Sequence, residues 1–178
     1  MALLAKMRGA GSSPPRVSRS EVLWSFLGAL AGIAAVGLLH ERLFAPQDVT
    51  LLIGSFGASA VLLYGAPKSP LAQPRNLLGG HVLSALVGVA ARLALPGPVW
   101  LCAALAVASA IALMHLTGTL HPPGGATALI AVIGGPSIAG LGFLYALVPA
   151  ATGALVMLGV ALVCNNLAPN RRYPEYWI

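Results

Sequence analysis

Residues 115–136 read HLTGTLHPPGGATALIAVIGGP and hold His115, His121, Pro122, Pro123, Gly124, Gly125 and Thr127 without a single charged side chain. Imidazoles and hydroxyls both donate and accept hydrogen bonds without carrying a net charge. A proline pair ends one helix and preorganises the next, and glycines let the backbone turn and approach a ligand. The chemistry such a set can do is capture of a small anion. The free N–H groups at a helix start carry a partial positive charge equivalent to roughly half an elementary charge. A second stretch, Gly54-Ser55-Phe56-Gly57-Ala58-Ser59, offers glycines and serines where the first has prolines. His81 adds an imidazole, with Ser84, Ala85, Gly88 and Arg92 following on nearly the same helical face.

Each of these residues also has a plain structural use. Gly28-xxx-Gly32 and Gly80-xxx-Ser84-xxx-Gly88 have the spacing of small-residue seams between membrane helices, and Gly57 and Gly125 can serve packing alone. His81 can bond across such a seam. His115 and His121 can donate to an anion or cap a helix end. His40, beside Glu41 and Arg42, reads as an interfacial residue. Lys68, Arg75 and Asn76 lie in a linker, where the two cations read as flanking charge and the group as a vestibule that gathers anions.

The elements that must position these groups are membrane helices. The chain has 178 residues, 58% hydrophobic and 8% charged, whereas soluble domains carry about a quarter charged residues. Its carboxylates are Glu21, Glu41, Asp48 and Glu175, so no acid falls between residues 49 and 174. That excludes a carboxylate proton relay or a carboxylate-bound sodium ion in the interior. The formal charge of +6 comes from clusters beside apolar segments, a membrane pattern rather than a nucleic-acid surface. Cys102 and Cys164 show no ligand or CxxC spacing, and no HExxH or acid-rich motif accompanies the histidines. No metal, no cofactor and no catalytic residue is expected, and the protein is read as not an enzyme; a histidine-metal site using His115 and His121 is the weaker alternative.

A spanning helix needs about 20 residues. The sequence predicts spans at 22–39, 49–64, 76–95 and 99–116, a short segment near 125–133, and a long one at 138–165 that tilts or bends at Pro149. The fold class expected is all-α, a polytopic bundle of about six helices with a short or broken fifth. A basic cytoplasmic tail occupies 1–20, the transmembrane domain 21–165, and a cytoplasmic C-terminal tail 166–178. The basic segments fall on one side when the chain crosses six times, which predicts a bacterial inner-membrane protein with both termini cytoplasmic. Long apolar stretches make a first retained helix a better reading of the N-terminus than a cleaved signal.

The two glycine-containing stretches match one another. Gly57-Ala58-Ser59-Ala60 falls on Gly125-Ala126-Thr127-Ala128, and each run ends in glycine and proline. Such a match predicts two inverted three-helix repeats, 21–95 and 98–165, each interrupted at its middle helix. A chain this small encloses little volume, and small-residue faces such as Gly28-xxx-Gly32 predict a homo-oligomer in membrane lipid.

GSFGASAVLLYGAPKSPLAQPRNLLGGH (54–81), HPPGGATAL (121–129) and NRRYPEYW (170–177), in this order, resemble the HPP family of integral membrane proteins. The resemblance covers roughly residues 20–178. It implies similarity to bacterial, cyanobacterial and plastid proteins, some associated with nitrite transport, and a count of four helices where the residues suggest six. The family motif falls on His121, Pro122 and Pro123, followed by Gly124, Gly125 and Thr127. Gly54, Ser55, Gly57 and Ser59 form the matching segment, and the linker runs through Pro74, Arg75 and Asn76 to His81. The CBS modules of some relatives are not expected. The function expected is a small-anion permease or channel, with nitrite as the substrate the resemblance implies. A neutral-solute channel for water, urea or ammonia is the alternative.

Overall fold

Ser18 starts the first helix by accepting the Glu21 N–H on its side chain at 3.2 Å, and Asp48 stops it in the left-handed conformation at φ 56°. Between them lies α1, Arg19–Gln47. The computed structural model describes residues 6–7 and 11–178, so Arg8 and part of the basic 1–20 tail lie outside the described residues. Five further helices follow: α2 Ser55–Gly65, α3 Pro74–Ala94, α4 Val99–Thr117, α5 Pro122–Ile133 and α6 Gly135–Leu167. Among the described residues the fold is all-α, a bundle of six helices, and α1, α3, α4 and α6 are long and apolar enough to cross a membrane.

The remaining two are shorter, and each follows a stretch of non-helical backbone. Residues 49–53 are not helical, so α2 begins only at Ser55 and the span expected over 49–64 is helical only in its later part. Hydropathy reads apolarity, not backbone shape, and Leu51 and Ile53 pack into the core from this non-helical arm. α4 stops at Gly118, which is left-handed at φ 65°, and residues 119–121 lead into α5. Pro122 and Pro123 lie inside the first turn of α5 rather than before it, so this helix starts three residues earlier than the expected 125. α6 is broken near the expected proline: Val148 leaves helical geometry at φ −129°, ψ 115°.

One end of the bundle is fixed by a single guanidinium. Arg171, 9% exposed, donates from Nε to Glu21 Oε2 at 2.9 Å and from Nη1 to the Tyr64 carbonyl and Asn165 Oδ1, both at 2.9 Å. Its Nη2 reaches the Glu21 carbonyl at 3.1 Å and Ser25 Oγ at 2.9 Å. The start of α1, the end of α2 and the end of α6 therefore meet there. Arg75 at the start of α3 donates to the Thr117 carbonyl at the end of α4, at 2.7 Å. α2 thus runs toward this basic end and α5 away from it.

The C-terminal residues strap across the same end. Tyr173 donates to the Ala72 carbonyl at 2.8 Å, the Glu175 N–H to Gln73 Oε1 at 2.8 Å, and Tyr176 to the Pro70 carbonyl at 3.0 Å. Burial pushes the Tyr173 phenol upward in pKa, which keeps its proton in that bond.

Small residues set the closest helix approaches. A Cβ on Gly88 would lie 2.5 Å from the Ala128 carbonyl oxygen, and one on Gly80 2.5 Å from His121 Cβ, so the Gly80-Ser84-Gly88 seam joins α3 to α5. Gly28 and Gly32 instead face the Tyr64 ring within the chain. That seam is occupied internally, which corrects its reading as a face for subunit association.

Candidate functional site

Where α2, α3 and α5 meet, six polar side chains are fully buried: Ser55 and Ser59 from α2, His81 and Ser84 from α3, His121 at the cap of α5, and Thr127 six residues further. The two short helices run antiparallel, so Ser55 pairs with Thr127 at 3.0 Å while Ser59 pairs with His121 Nε2 at 2.9 Å. His81 sits between these pairs. Its Nε2 is 2.8 Å from Ser59 Oγ and its Nδ1 is 2.7 Å from Thr127 Oγ1. The two hydroxyls that correspond in the GASA and GATA stretches thus hold opposite nitrogens of one imidazole.

Around this core the supports are specific. His121 Nδ1 donates to the Leu71 carbonyl at 2.8 Å, on the loop clamped by the C-terminal strap. Asn76 donates to the Leu120 carbonyl at 2.9 Å and fixes the residue before His121. Ser84 Oγ lies 3.6 Å from Met114 Sδ, and the Phe56 ring stands edge-on to His81 with centroids 5.3 Å apart. The Tyr145 phenol donates to the Thr127 carbonyl at 3.1 Å. Every buried side-chain nitrogen and oxygen among the described residues has a partner. His81 lies about 10 Å along α3 from its start, at 1.5 Å per residue, about a third of the way along that helix.

The sequence-predicted residues divide. Ser55, Ser59, His81, His121 and Thr127 come together, and Pro123 and Gly124 are buried beside them. Gly54, Gly57 and Pro122 are exposed on the outer face, with no atom within 4 Å of a Cβ built on Gly54 or Gly57. Gly125 is half-buried against Val107. The first turn of α5 also offers fewer backbone donors than its sequence suggests. Prolines at 122 and 123 have no N–H, and the Gly124 N–H donates to the His121 carbonyl at 2.7 Å. Side chains therefore carry the polar character of this site.

The vestibule residues are engaged differently. Arg75 and Asn76 hold carbonyls of the 117–120 turn, while exposed Lys68 borders a recess of about 680 Å³ with Ser18, Glu21 and Arg171. His115 is exposed on α4 and does not join the cluster. Arg92 donates to the Ala139 carbonyl at 2.7 Å, well beyond the histidines along α3. Among the described residues no three histidine, cysteine or acidic side chains gather as a metal site would require. Arg171 organises this end of the bundle, a role that its position beside an apolar segment does not announce; the NRRYPEYW motif that contains it is the available signal.

Comparison with known proteins agrees with this architecture. Residues 14–174 match the family model described as the HPP transmembrane region. Two Dictyostelium discoideum proteins, each named only as a transmembrane protein, are 49% identical over 175 residues and 48% identical over 172. These alignments cover 97% and 95% of this chain but 56% and 60% of the relatives, so the chain spans little more than half of their length. Both relatives are eukaryotic, which corrects the expected bacterial inner membrane; a multi-pass membrane protein is what stands. No solved structure matches the chain.

Proposed function

This chain belongs to the HPP transmembrane family, and from that premise we propose that it is a small-anion permease with nitrite as its substrate. The observation that carries this reading is the buried meeting of two antiparallel interrupted segments at His81, Ser59, His121 and Thr127. Non-helical backbone at membrane depth is tolerated where it is buried in protein or lines a path, and interrupted helices mark the sites of many transporters. The interior supports an anion because no acidic side chain occurs between residues 49 and 174 to repel one.

The hydroxyls and imidazoles supply the donors. A planar monovalent anion can replace the mutual bonds among Ser59, Thr127, His81 and His121 with bonds to itself. Because those groups are paired and buried, entry requires α2 and α5 to separate, which makes the path one that opens and closes rather than a standing pore. No covalent step is involved.

Flux into protein-loaded vesicles tests this reading. Nitrite uptake above that of protein-free vesicles is expected, and it should fall at least tenfold in His81→Gln. Flux of urea or water without any anion flux would assign a neutral-solute channel instead. A homo-oligomer remains part of the proposal, with chemical cross-linking in vesicles as its measurement.

A further inference from the structure

The hydrogen positions in the cluster are constrained by chemistry. Leu71 O can only accept, so His121 must hold a proton on Nδ1. In the neutral cluster His121 Nε2 is then an acceptor, and Ser59 donates to it. The Ser59 oxygen in turn accepts from His81 Nε2–H, and His81 Nδ1 accepts from Thr127. The result is one directed chain, Thr127 to His81 to Ser59 to His121 to Leu71. The other neutral tautomer of His81 would leave two imidazole acceptors competing for the single Ser59 proton.

One additional proton fits the same heavy atoms. Thr127 has alternative acceptors in Ser55 Oγ at 3.0 Å and the Pro123 carbonyl at 3.3 Å, so it can turn its proton away and accept from His81 Nδ1–H. His81 then carries two N–H bonds, to Ser59 and Thr127, while Ser59 still donates to His121. Alternatively Ser59 passes its proton to His121 Nε2 as it takes the one from His81 Nε2. The positive charge then rests on His121, bonded to Ser59 and Leu71, and His81 is neutral with its proton on Nδ1. The donors of His81, Ser59, His121 and Thr127 each keep an acceptor in both arrangements.

We propose that His81, Ser59 and His121 form a proton-carrying relay that takes up one proton together with each transported anion, making transport an electroneutral proton–anion symport. This rests on the permease reading. The proton gives the anion its counter-charge in an interior that has no carboxylate, and both leave to the opposite side, so protons and charge balance over a cycle. Among the described residues the surroundings bring little competing titration. Tyr145 touches Thr127 through its carbonyl, and α2 ends in Tyr64, whose phenol donates to the Met157 carbonyl at 3.0 Å. α4 presents Met114 to Ser84 and turns His115 outward, α5 brings no acid or base beyond His121, and Arg75 and Arg92 on α3 are bound to distant carbonyls. Tyr173 reaches the 70–73 loop only at Ala72.

The test uses the full chain in phosphatidylcholine vesicles with nitrite as the probe, an internal pH dye, and potassium with valinomycin to set the voltage. About one proton should enter per nitrite above the protein-free rate, driven by an inward proton gradient and unaffected by voltage. Ser59→Ala should cut this gradient-driven accumulation at least tenfold. Nitrogen-15 spectra of the wild-type imidazoles should show His81 exchanging its protonated nitrogen when nitrite is added, a signature that needs no variant. Voltage-driven nitrite flux indifferent to the proton gradient, wild-type accumulation in Ser59→Ala, or unchanged His81 nitrogens on nitrite binding would each overturn the relay while leaving a permease. Absence of any nitrite, nitrate, formate or chloride flux under either gradient would overturn the permease reading itself.

Discussion

Gly80 passes so close to His121 that a Cβ built on it would lie 2.5 Å from the His121 Cβ and 3.1 Å from the Thr119 carbonyl. The position of one relay imidazole is thus set by the absence of a side chain on the neighbouring helix. Neither obstacle is a flexible side-chain end, so Gly80→Ala must push α3 and the His121 cap apart. The expected cost is that of an overpacked core, about 1–3 kcal/mol, together with lost nitrite flux. Gly159→Ala, where no atom lies within 4 Å, should leave both within error or slightly raise stability through helix propensity. Thermal unfolding in detergent alongside vesicle flux checks the pair.

Arg171 makes a different kind of prediction, because its guanidinium holds three helix ends at once. Arg171→Ala strands the Asn165 amide oxygen and the partly exposed Glu21 carboxylate, whose side chain is 31% exposed. Breaking a well-buried pair costs about 3–5 kcal/mol, and the exposure of Glu21 puts this case near the lower figure. Arg171→Lys should recover little, since one ammonium cannot reproduce contacts made from three nitrogens of a planar fork. Unfolding midpoints of the two variants, which should lie close together and well below wild type, decide the matter.

Gly32 tests whether the α1 seam belongs to the chain or to a subunit interface. A Cβ there would fall 2.6 Å from Tyr64 Cζ, and Tyr64 is wedged beside α6 with its phenol on the Met157 carbonyl. Gly32→Leu should therefore lower the unfolding midpoint sharply without changing the cross-linked species in vesicles. A variant of normal stability that lost its cross-links would restore the seam to an interface.

Much of this arrangement was legible in the residues, for physical reasons that also explain the gaps. Pro122-Pro123 cannot continue a helix, so the short fifth helix was readable, as was the match of Ser59 with Thr127. The 49–53 arm was not, because Val49, Leu51, Leu52 and Ile53 have the same apolarity whether helical or extended. His81 and His121 were each readable as either packing or ligand. Their meeting through Ser59 depends on contacts across 22 and 62 positions of chain, which no local spacing encodes. Arg171 has the sequence setting of any basic residue at a membrane end, and four of its five hydrogen bonds reach more than 100 positions along the chain. The expectation of backbone donors at α5 failed on the chemistry of proline itself, which removes the N–H groups that a helix start normally presents.

Thr127 gives the sharpest separation of hydroxyl from shape. Its Oγ1 is the donor that satisfies His81 Nδ1 in the neutral cluster and the acceptor that receives from it in the protonated one. Thr127→Val keeps the β-branched form but loses the hydroxyl bond to Ser55 Oγ and leaves a buried imidazole nitrogen without a partner, at a cost of about 1–3 kcal/mol. Thr127→Ser keeps the hydroxyl and loses one methyl, a smaller change of about 1 kcal/mol. Thr127→Val should accordingly lose at least tenfold in proton-driven nitrite uptake while Thr127→Ser stays within about threefold of wild type. Paired unfolding and flux measurements on the two variants should rank them in the same order, because the hydroxyl serves both the stability of the cluster and its proton bookkeeping. Equal flux in the valine and serine variants would show that Thr127 only fills space.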